Sequence, residues 1–543
     1  MKNIVAMVAV VLLCGCPDGG QAQTDGGQSQ TDGGTVAGGS DGGFAFLFKN
    51  HSFSFENYTN TPGIVNLTPV EVRRMFGDAV CAGSLTTDSC ELTPAASAWM
   101  EATSNAMNGG HCEGMAVLAG LFATGTLKAS DFGAPTAFEL TLAGNTKLQR
   151  EIGYWWATQT VPPTNTSETK GANGIAPTVV VSRLKSMVES GGEVWSIGLY
   201  KRDMSGGHAV TPISTEERGG KQYIKVYENN IPNEIREFEI DPAANTWKYF
   251  ASTNPAQPGA LYDGDTSTSN LTLTPNSVRA MRQTCPTCGT VAADGKSVRG
   301  SAVTYREVNL SGDAHVLISD GTHQLGYVAG AFVNTIPGAT TGPFKRAPNT
   351  FANTNDPTYR LPLSVPLTVT LDGTGLTTDT TSNVTLTAPG YSFSVEGVVV
   401  HPAQKDTISF SAGTESVEYK TTASETPTVS LGVTFDGADY LFEVKSAAEA
   451  GGVDVQLKLD ATNGKLNVFV KSVDGTATYD IRIERRDTTS TSVFTHSGNS
   501  IAAAAVVSFD YATWAGNGMS MSVGTDTTGD GTIDSTAMVT DDQ

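Results

Sequence analysis

The pattern of apolar residues changes near Thr290, and this change limits the folds open to the chain. Before that point, helix-like stretches alternate with short strand-like stretches. After it, threonine, serine, valine and glycine dominate, and apolar residues recur at every second position. Period-two alternation is typical of strands with one buried face. The sequence therefore predicts an α+β domain over residues 44–290, followed by an all-β region resembling a β-sandwich.

The all-β region contains short alternating runs separated by turn-forming residues. Three of these runs begin at Leu367, Tyr391 and Leu466. A glycine- and threonine-rich stretch from Asp372 to Asn383 suggests a boundary within the region. We therefore expect a β-rich segment at 291–375 and a β-sandwich at 376–543.

The first residues have the pattern of an export signal. Lys2 precedes an apolar run, Ile4 to Leu13, that is too short to span a bilayer. The run closes on Leu-Cys-Gly-Cys, a motif similar to the bacterial lipobox, so residues 1–16 are predicted to be a lipoprotein signal peptide with Cys16 acylated. An ordinary secretory signal cleaved near the same place is the alternative.

Residues 17–43 repeat Asp-Gly-Gly among glutamine, serine and threonine. A segment with so little to bury is predicted to be a flexible tether. Signal and tether together predict a lipid-anchored protein of the bacterial cell envelope that meets the membrane only through its lipid. The net charge of −21 argues against nucleic acid as a partner, because an acidic surface repels polyanions.

The tripeptide Leu-Thr-Pro occurs three times, beginning at Leu67, Leu92 and Leu273. A threonine can cap the free amides of a helix, and a proline fits the first helical position. Each tripeptide is therefore predicted to start a helix. At the first of them, Glu71 completes a capping box with Thr68.

The cysteine count leaves one thiol without an obvious partner. Of the seven cysteines, Cys14 would leave with the signal and Cys16 would carry lipid, so five remain. In an oxidising exported setting, four of these are expected to pair and Cys112 is left over. The Cys-Pro-Thr-Cys sequence could instead be a redox motif or half of a zinc site. The predicted disulfides are Cys81–Cys90 and Cys285–Cys288.

Cys112 opens a stretch whose apolar residues share one helical face. Met115, Leu118, Ala119 and Phe122 follow the i, i+3, i+4, i+7 pattern, which predicts a buried helix beginning near Cys112. The free amides of a helix N-terminus carry partial positive charge and stabilise a thiolate. Cys112 is therefore a candidate nucleophile, and a small packed hydrophobe is the alternative.

Two strands predicted downstream carry residues that could act with this thiol. His208 stands at the head of the first strand, and the second, Tyr223 to Tyr227, is followed by Glu228 and Asn229. A short polar turn joins them as a hairpin. A nucleophilic cysteine needs a base for its proton and a third group that orients the base. The sequence thus predicts Cys112 as nucleophile, His208 as base, and Glu228 or Asn229 as the third member.

Roughly residues 45–290 resemble the papain-like cysteine peptidases. The resemblance is carried by Gly-His-Cys-Glu-Gly-Met-Ala around Cys112 and by Gly-Gly-His-Ala-Val around His208. It implies a thiol peptidase or related amide hydrolase that acts on protein or peptide and needs no cofactor for catalysis. Relatives that process bacteriocin leaders have an Asp as third member, which favours Glu228, whereas the papain pattern has an amide, which favours Asn229.

The papain family also places an oxyanion-stabilising glutamine six residues before its cysteine. That position is Ala106 here, so the nearest amides, Asn105 and Asn108, are the candidates. Glu113 follows the cysteine and would oppose thiolate formation if its carboxylate pointed at the sulfur. His111 is interpreted as a local or substrate-side group.

Two other functions use the same features. A transglutaminase-like acyl transferase would use the same Cys-His-acid set, and a catalytically inactive binding or adhesion protein would keep only the fold.

The aromatic segment Leu148 to Trp156 could line a substrate groove, although aromatic clusters on helices usually pack inward.

Near the carboxyl end, a loop carries acidic residues at intervals that suit a cation. Asp526, Asp530 and Asp534 place oxygen atoms around glycines, as in calcium-binding loops. The position of the bidentate glutamate of an EF-hand is Ala537. The loop is therefore a candidate calcium site, with an ordinary Asp-Gly hairpin turn as the alternative.

Overall fold

The computed structural model describes most of the chain after the predicted tether. The described residues are 43–82, 90–169, 175–204, 206–251, 261–292, 298–328, 330–345, 356–435, 437–472 and 475–542. The predicted signal peptide, the acylation site Cys16 and tether residues 17–42 lie outside them. Within the described ranges, no helix has the length and apolar character needed to cross a membrane.

The amino-terminal region contributes most of the helices. They are α1 Phe48–His51, α2 Pro69–Phe76, α3 Pro94–Ala106, α4 Cys112–Ala123, α5 Thr146–Ala157, α6 Thr164–Ser167 and α7 Pro177–Ser190. Short 3-10 turns lie at Asp78–Val80, Met107–Gly109, Ala129–Phe132, Ala137–Glu139 and Thr158–Thr160.

A seven-stranded antiparallel sheet follows the helices. Its strands are β1 Trp195–Leu199, β2 His208–Arg218, β3 Lys221–Tyr227, β4 Ile235–Asp241, β5 Thr246–Phe250, β6 Leu261–Asp265 and β7 Leu271–Pro275, in the order β6-β5-β4-β3-β2-β1-β7. The predicted hairpin is present as β2 and β3. Because Thr211 lies opposite Tyr227, the first residues of β2 and the residues after β3 meet at one end of the sheet.

The Leu-Thr-Pro tripeptides start two of the three predicted helices. Thr68 and Thr93 cap α2 and α3, and Glu71 completes the capping box at α2. The third prediction is wrong for Thr274, which lies within β7. The backbone there pairs with β1, opposite Ser196, so the one-turn helix α8, Asn276–Arg279, begins only after Pro275. Strand pairing has overridden the local capping signal.

Helix α4 packs between α5 and the sheet and is buried along almost its whole length. The aromatic residues of α5 are buried as well, which is the interior packing favoured from the sequence. Helices α4 and α5 are in close contact at Gly114. A Cβ atom at this position would lie 2.1 Å from the carbonyl oxygen of Ile152. Only a glycine fits there without moving one of the two helices.

We expect Gly114→Ala to lower the free energy of unfolding by about 1–3 kcal/mol, because the added methyl group overpacks the contact between α4 and α5. Urea unfolding followed by tryptophan fluorescence measures the change. Gly192→Ala is the matched control, since a Cβ there meets nothing within 4 Å. Equal stability of the two variants would contradict the close packing at Gly114.

The disulfides are Cys81–Cys90 and Cys285–Cys288, the pairs predicted from the sequence. Cys112 is the free cysteine among the described residues, and it is buried. The Cys-Pro-Thr-Cys sequence thus forms a disulfide in this structure.

The carboxyl-terminal region is all-β, as predicted. A hairpin of β8 Thr290–Val291 and β9 Val298–Arg299 leads into it. The strands that follow, β10 to β29 in chain order, are Tyr305–Ser311, His315–Ser319, Gln324–Val328, Ala331–Asn334, Thr340–Gly342, Thr358–Pro362, Leu367–Asp372, Thr380–Ala388, Tyr391–Val400, Lys405–Phe410, Ser416–Lys420, Thr428–Phe435, Ala438–Ser446, Val453–Asp460, Lys465–Ser472, Thr476–Arg486, Thr491–Ala502, Val506–Asp510, Met521–Asp526 and Ser535–Val539.

These strands form two large sheets. Among the described residues, one sheet has nine strands in the order β14-β15-β10-β17-β18-β21-β22-β25-β26, and the other has eleven in the order β13-β12-β11-β16-β19-β20-β23-β24-β27-β28-β29. Buried apolar residues from both sheets form one continuous core.

The boundary expected between Asp372 and Asn383 does not divide this region. Strand β10 pairs with β17, and β11 pairs with β16, which itself pairs with β19. Strands from 291–375 and 376–543 therefore share both sheets and one core. A loop rich in glycine and threonine marks a connection here and not the end of a domain.

The candidate calcium loop joins β28 to β29 as a hairpin. Asp526 accepts hydrogen bonds from the amides of Thr528, Gly529 and Gly531. Asp534 accepts the amide of Thr527 at 2.8 Å. The carboxylates therefore organise the turn itself, which is the hairpin alternative considered from the sequence. Calcium binding by Asp526, Asp530 and Asp534 stays a prediction.

Candidate active site

Cys112 is the first residue of α4, and its side chain is buried. The chain turns into the helix at Gly110, whose φ of 118° is a conformation that favours glycine. The helix start is held by Asn57, whose side-chain oxygen accepts the amide of His111 at 2.6 Å. The side chain of His111, the residue before the helix, makes no capping hydrogen bond to the first turn of α4. The amides of that turn carry the partial positive charge of a helix N-terminus.

His208 and Glu228 form a buried pair at the end of the sheet where β2 begins and β3 ends. The Nε2 atom of His208 lies 2.6 Å from Oε1 of Glu228, and both side chains are fully buried. The Glu228 carboxylate also accepts the amide of Asn230 at 2.9 Å and the hydroxyl of Tyr249. Burial raises the pKa of Glu228, but His208 and these donors outweigh it and hold the pKa below its usual value.

The thiol of Cys112 interacts electrostatically with the His208 ring and raises the pKa of the imidazole. Because Glu228 engages Nε2, the Nδ1 atom is the nitrogen available to the sulfur. Burial lowers the pKa of His208, but its interactions with Glu228 and Cys112 act against burial and raise the pKa to about 10. The imidazole is thus held in its protonated form next to the sulfur at neutral pH.

Asn229 has a different set of contacts from Glu228. Its amide nitrogen donates to the carbonyl oxygens of Cys112 at 3.2 Å and of Ala209 at 2.8 Å. Asn229 therefore connects the start of α4 to the start of β2. Of the two residues considered for the third position, Glu228 is the one that contacts the His208 ring.

The role of Asn105 and Asn108 as oxyanion donors stays a prediction. Both line a cavity of about 250 Å³ whose other walls include residues of the all-β region, and neither Cys112 nor His208 lines it. The side-chain oxygen of Asn108 accepts the amide of Asn60. The amides at the start of α4 are further candidates for oxyanion stabilisation, because Cys112 itself belongs to that turn.

Glu113 is paired with cations. Its carboxylate contacts the guanidinium of Arg279, and its Oε1 atom lies 3.3 Å from Nζ of Lys345. All three side chains are buried. The negative charge next to Cys112 is therefore compensated by two positive charges.

His111 is a local group of the loop before α4. Its ring stacks on Tyr58 with centroids 4.0 Å apart. Nδ1 lies 2.7 Å from the Tyr58 carbonyl oxygen, and Nε2 lies 2.8 Å from Oδ1 of Asn66. With both nitrogens occupied in a buried pocket, His111 is a packing group beside Cys112.

No protein-family model matches the chain, and searches of curated proteins and of solved structures also found no match. Any functional assignment must therefore come from the chemistry of the site.

Proposed function

We propose that this protein is a thiol peptidase or related amide hydrolase of the papain-like superfamily, anchored by lipid in the bacterial cell envelope. The observation that supports the proposal most is the buried His208–Glu228 pair, whose imidazole also interacts electrostatically with Cys112 at the start of α4. A base that is oriented by a carboxylate and contacts a thiol at a helix N-terminus is the arrangement that nucleophilic cysteine catalysis needs.

The residues have distinct roles in the proposed reaction. The Cys112 thiolate attacks the carbonyl carbon of the scissile amide, and the protonated His208 then gives its proton to the leaving amine. Water, deprotonated by His208, next hydrolyses the thioester and releases the acid. Amides of the first turn of α4 stabilise the oxyanion in both steps. Glu228 keeps the imidazole oriented and stabilises its charged form.

The function is tested by incubating the full chain with a mixture of unlabelled peptides and identifying the products by mass spectrometry. We expect new peptide ends from the wild-type protein and none from Cys112→Ser. A primary amine added to the reaction separates the two enzymatic candidates. A transglutaminase-like enzyme also has an acid as its third member, the position that Glu228 would take here. Such an enzyme incorporates the amine into its product. No reaction with either acceptor would favour a binding or adhesion protein.

We expect Glu228→Gln to lower kcat/KM by about 10²–10⁴-fold, because the neutral amide no longer stabilises a protonated His208. Asn229→Ala should have a smaller effect on the reaction, since Asn229 contacts only backbone carbonyls of α4 and β2 in the bonds described above. The two variants are compared over a range of pH. A larger loss for Asn229→Ala would identify the amide as the orienting group.

A further inference from the structure

Residues 343–345, Pro-Phe-Lys, lie just after β14 and form what we call the strap. The Phe344 ring stacks on Trp156 of α5, with ring centroids 5.5 Å apart and planes at 24°. The backbone of Lys345 is held on both sides by one side chain. Its amide donates to Oε1 of Gln159 at 2.8 Å, and its carbonyl accepts from Nε2 of Gln159 at 3.4 Å. A segment of the all-β region is thus bound by main-chain contacts to the catalytic region.

The side chain of Lys345 occupies a closed acidic pocket. It is 2% exposed, and its Nζ lies 3.2 Å from Glu168 and 3.3 Å from Glu113. A Cβ atom on Gly198 would lie 2.7 Å from Cδ of Lys345, so the glycine makes room for the aliphatic stem. A buried ammonium needs such partners, because an unpaired charge in the interior is costly.

The strap contacts the residues that flank the catalytic pair. Glu113 follows Cys112 in α4. On the other side, the carbonyl oxygen of Phe344 would lie 2.2 Å from a Cβ atom on Gly207, the residue before His208. Both Cys112 and His208 are fully buried in this conformation. The strap is therefore packed against the residue that follows Cys112 and the residue that precedes His208.

We propose that the strap is an internal, substrate-like ligand that closes the site, and that its pocket selects substrates with a lysine preceded by an aromatic residue. This inference rests on the proposed peptidase function. An extended peptide held by main-chain hydrogen bonds, with its side chains in pockets, is a recurring mode of peptide recognition. Glu113 and Glu168 reject an acidic or neutral side chain, because their carboxylates would lose the ammonium partner.

Closure of the site is tested by iodoacetamide labelling of Cys112 in the full chain at pH 7. Lys345→Met keeps the volume and removes the charge, whereas Gln159→Ala removes the backbone contacts and keeps every charge. We expect both variants to label at least tenfold faster than the wild-type protein. Lys405→Met is the matched control, because Lys405 pairs with Asp372 on the all-β region at 3.0 Å. Its labelling rate should equal that of the wild-type protein.

Specificity is tested in the double variant Phe344→Ala/Lys345→Ala. Acetyl-Phe-Lys-amide should slow the labelling of Cys112 in this variant, and acetyl-Phe-Glu-amide should not. Equal protection by the two peptides would overturn the lysine preference.

Labelling of Lys345→Met and Gln159→Ala within twofold of the wild-type rate, with melting curves that show folded protein, would overturn closure by the strap. If Lys345→Met fails to fold, Gln159→Ala decides the question alone, since it leaves the charged pocket intact. These outcomes can be distinguished from failure of the proposed peptidase function. If the proposed function is wrong, labelling of Cys112 would not depend on His208, and no variant would hydrolyse peptides.

Discussion

Replacing His208 with alanine is expected to reduce peptide hydrolysis by about 10³-fold or more, because the reaction loses its base and its proton donor together. The same change should slow iodoacetamide labelling of Cys112 at pH 7 by about tenfold, since the sulfur loses the adjacent imidazolium that stabilises a thiolate. Peptide products are counted by mass spectrometry, and labelling is followed at the Cys112 peptide.

His315→Ala is the control for this experiment. His315 also pairs with a carboxylate, Asp356, at 2.7 Å, but it lies on the all-β region and is partly exposed. Replacing His315 should change neither the rate of peptide hydrolysis nor the rate of Cys112 labelling. If Cys112 is labelled at the same rate in His208→Ala and in His315→Ala, the reactivity of Cys112 does not depend on an imidazolium. The assignment of His208 as base is then wrong.

The second large effect is on stability and concerns Arg279. We expect Arg279→Met to lower the free energy of unfolding by about 3–5 kcal/mol, because it leaves the buried Glu113 carboxylate without its guanidinium partner. Arg279 also donates to Thr158 at 2.9 Å and to Ser196 at 3.0 Å, and these bonds are lost as well. Urea unfolding measures the change.

Two further variants control the Arg279 experiment. Arg482→Met removes a half-exposed arginine that pairs with Glu443 and Glu484, and it should cost no more than about 1 kcal/mol. The double variant Glu113→Gln/Arg279→Met should recover part of the stability, since neither charge then lacks the other. A loss for Arg279→Met as small as that for Arg482→Met would show that the buried cluster does not stabilise the start of α4.

Those parts of the site that depend on local patterns could be predicted from the sequence. The helix at Cys112 follows from apolar spacing, and the hairpin that carries His208 and Glu228 follows from two strand-like runs around a polar turn. The two disulfides follow from the cysteine count. Each of these signals lies within about two dozen residues, where backbone geometry limits the alternatives.

The remainder depends on contacts between distant segments. Tyr249 meets Glu228 only because β5 joins the same sheet, and no short motif links the two residues. Arg279 and Lys345 reach Glu113 from 166 positions away or more. The third Leu-Thr-Pro failed as a helix start for a similar reason, since pairing with β1 decided the conformation of Thr274.

The pH range over which the pair is charged follows from the two shifted pKa values. His208 binds its proton more tightly in the folded state, so its contribution to stability is complete below about pH 6.5 and is lost as the pH rises through about 10. The lowered pKa of Glu228 has the opposite effect on the pH dependence of stability. The contribution of Glu228 to stability is present above about pH 4.5 and is lost as the pH falls through its lowered pKa in the folded state. The imidazolium–carboxylate pair should therefore persist across the neutral range.

The most direct test of the central claim is the pH dependence of iodoacetamide labelling at Cys112 in the wild-type protein. Each labelling rate is divided by the labelling rate on the alkaline plateau. This is done because the opening of a closed site multiplies the labelling rates at all pH values by one factor and leaves the shape of the pH profile unchanged. We expect a rate that changes by less than about threefold between pH 6 and pH 8.5, because a cysteine beside an imidazolium at a helix N-terminus reacts as a thiolate. A rate that rises about tenfold with each pH unit up to about 8.5, as for an ordinary free cysteine, would contradict it.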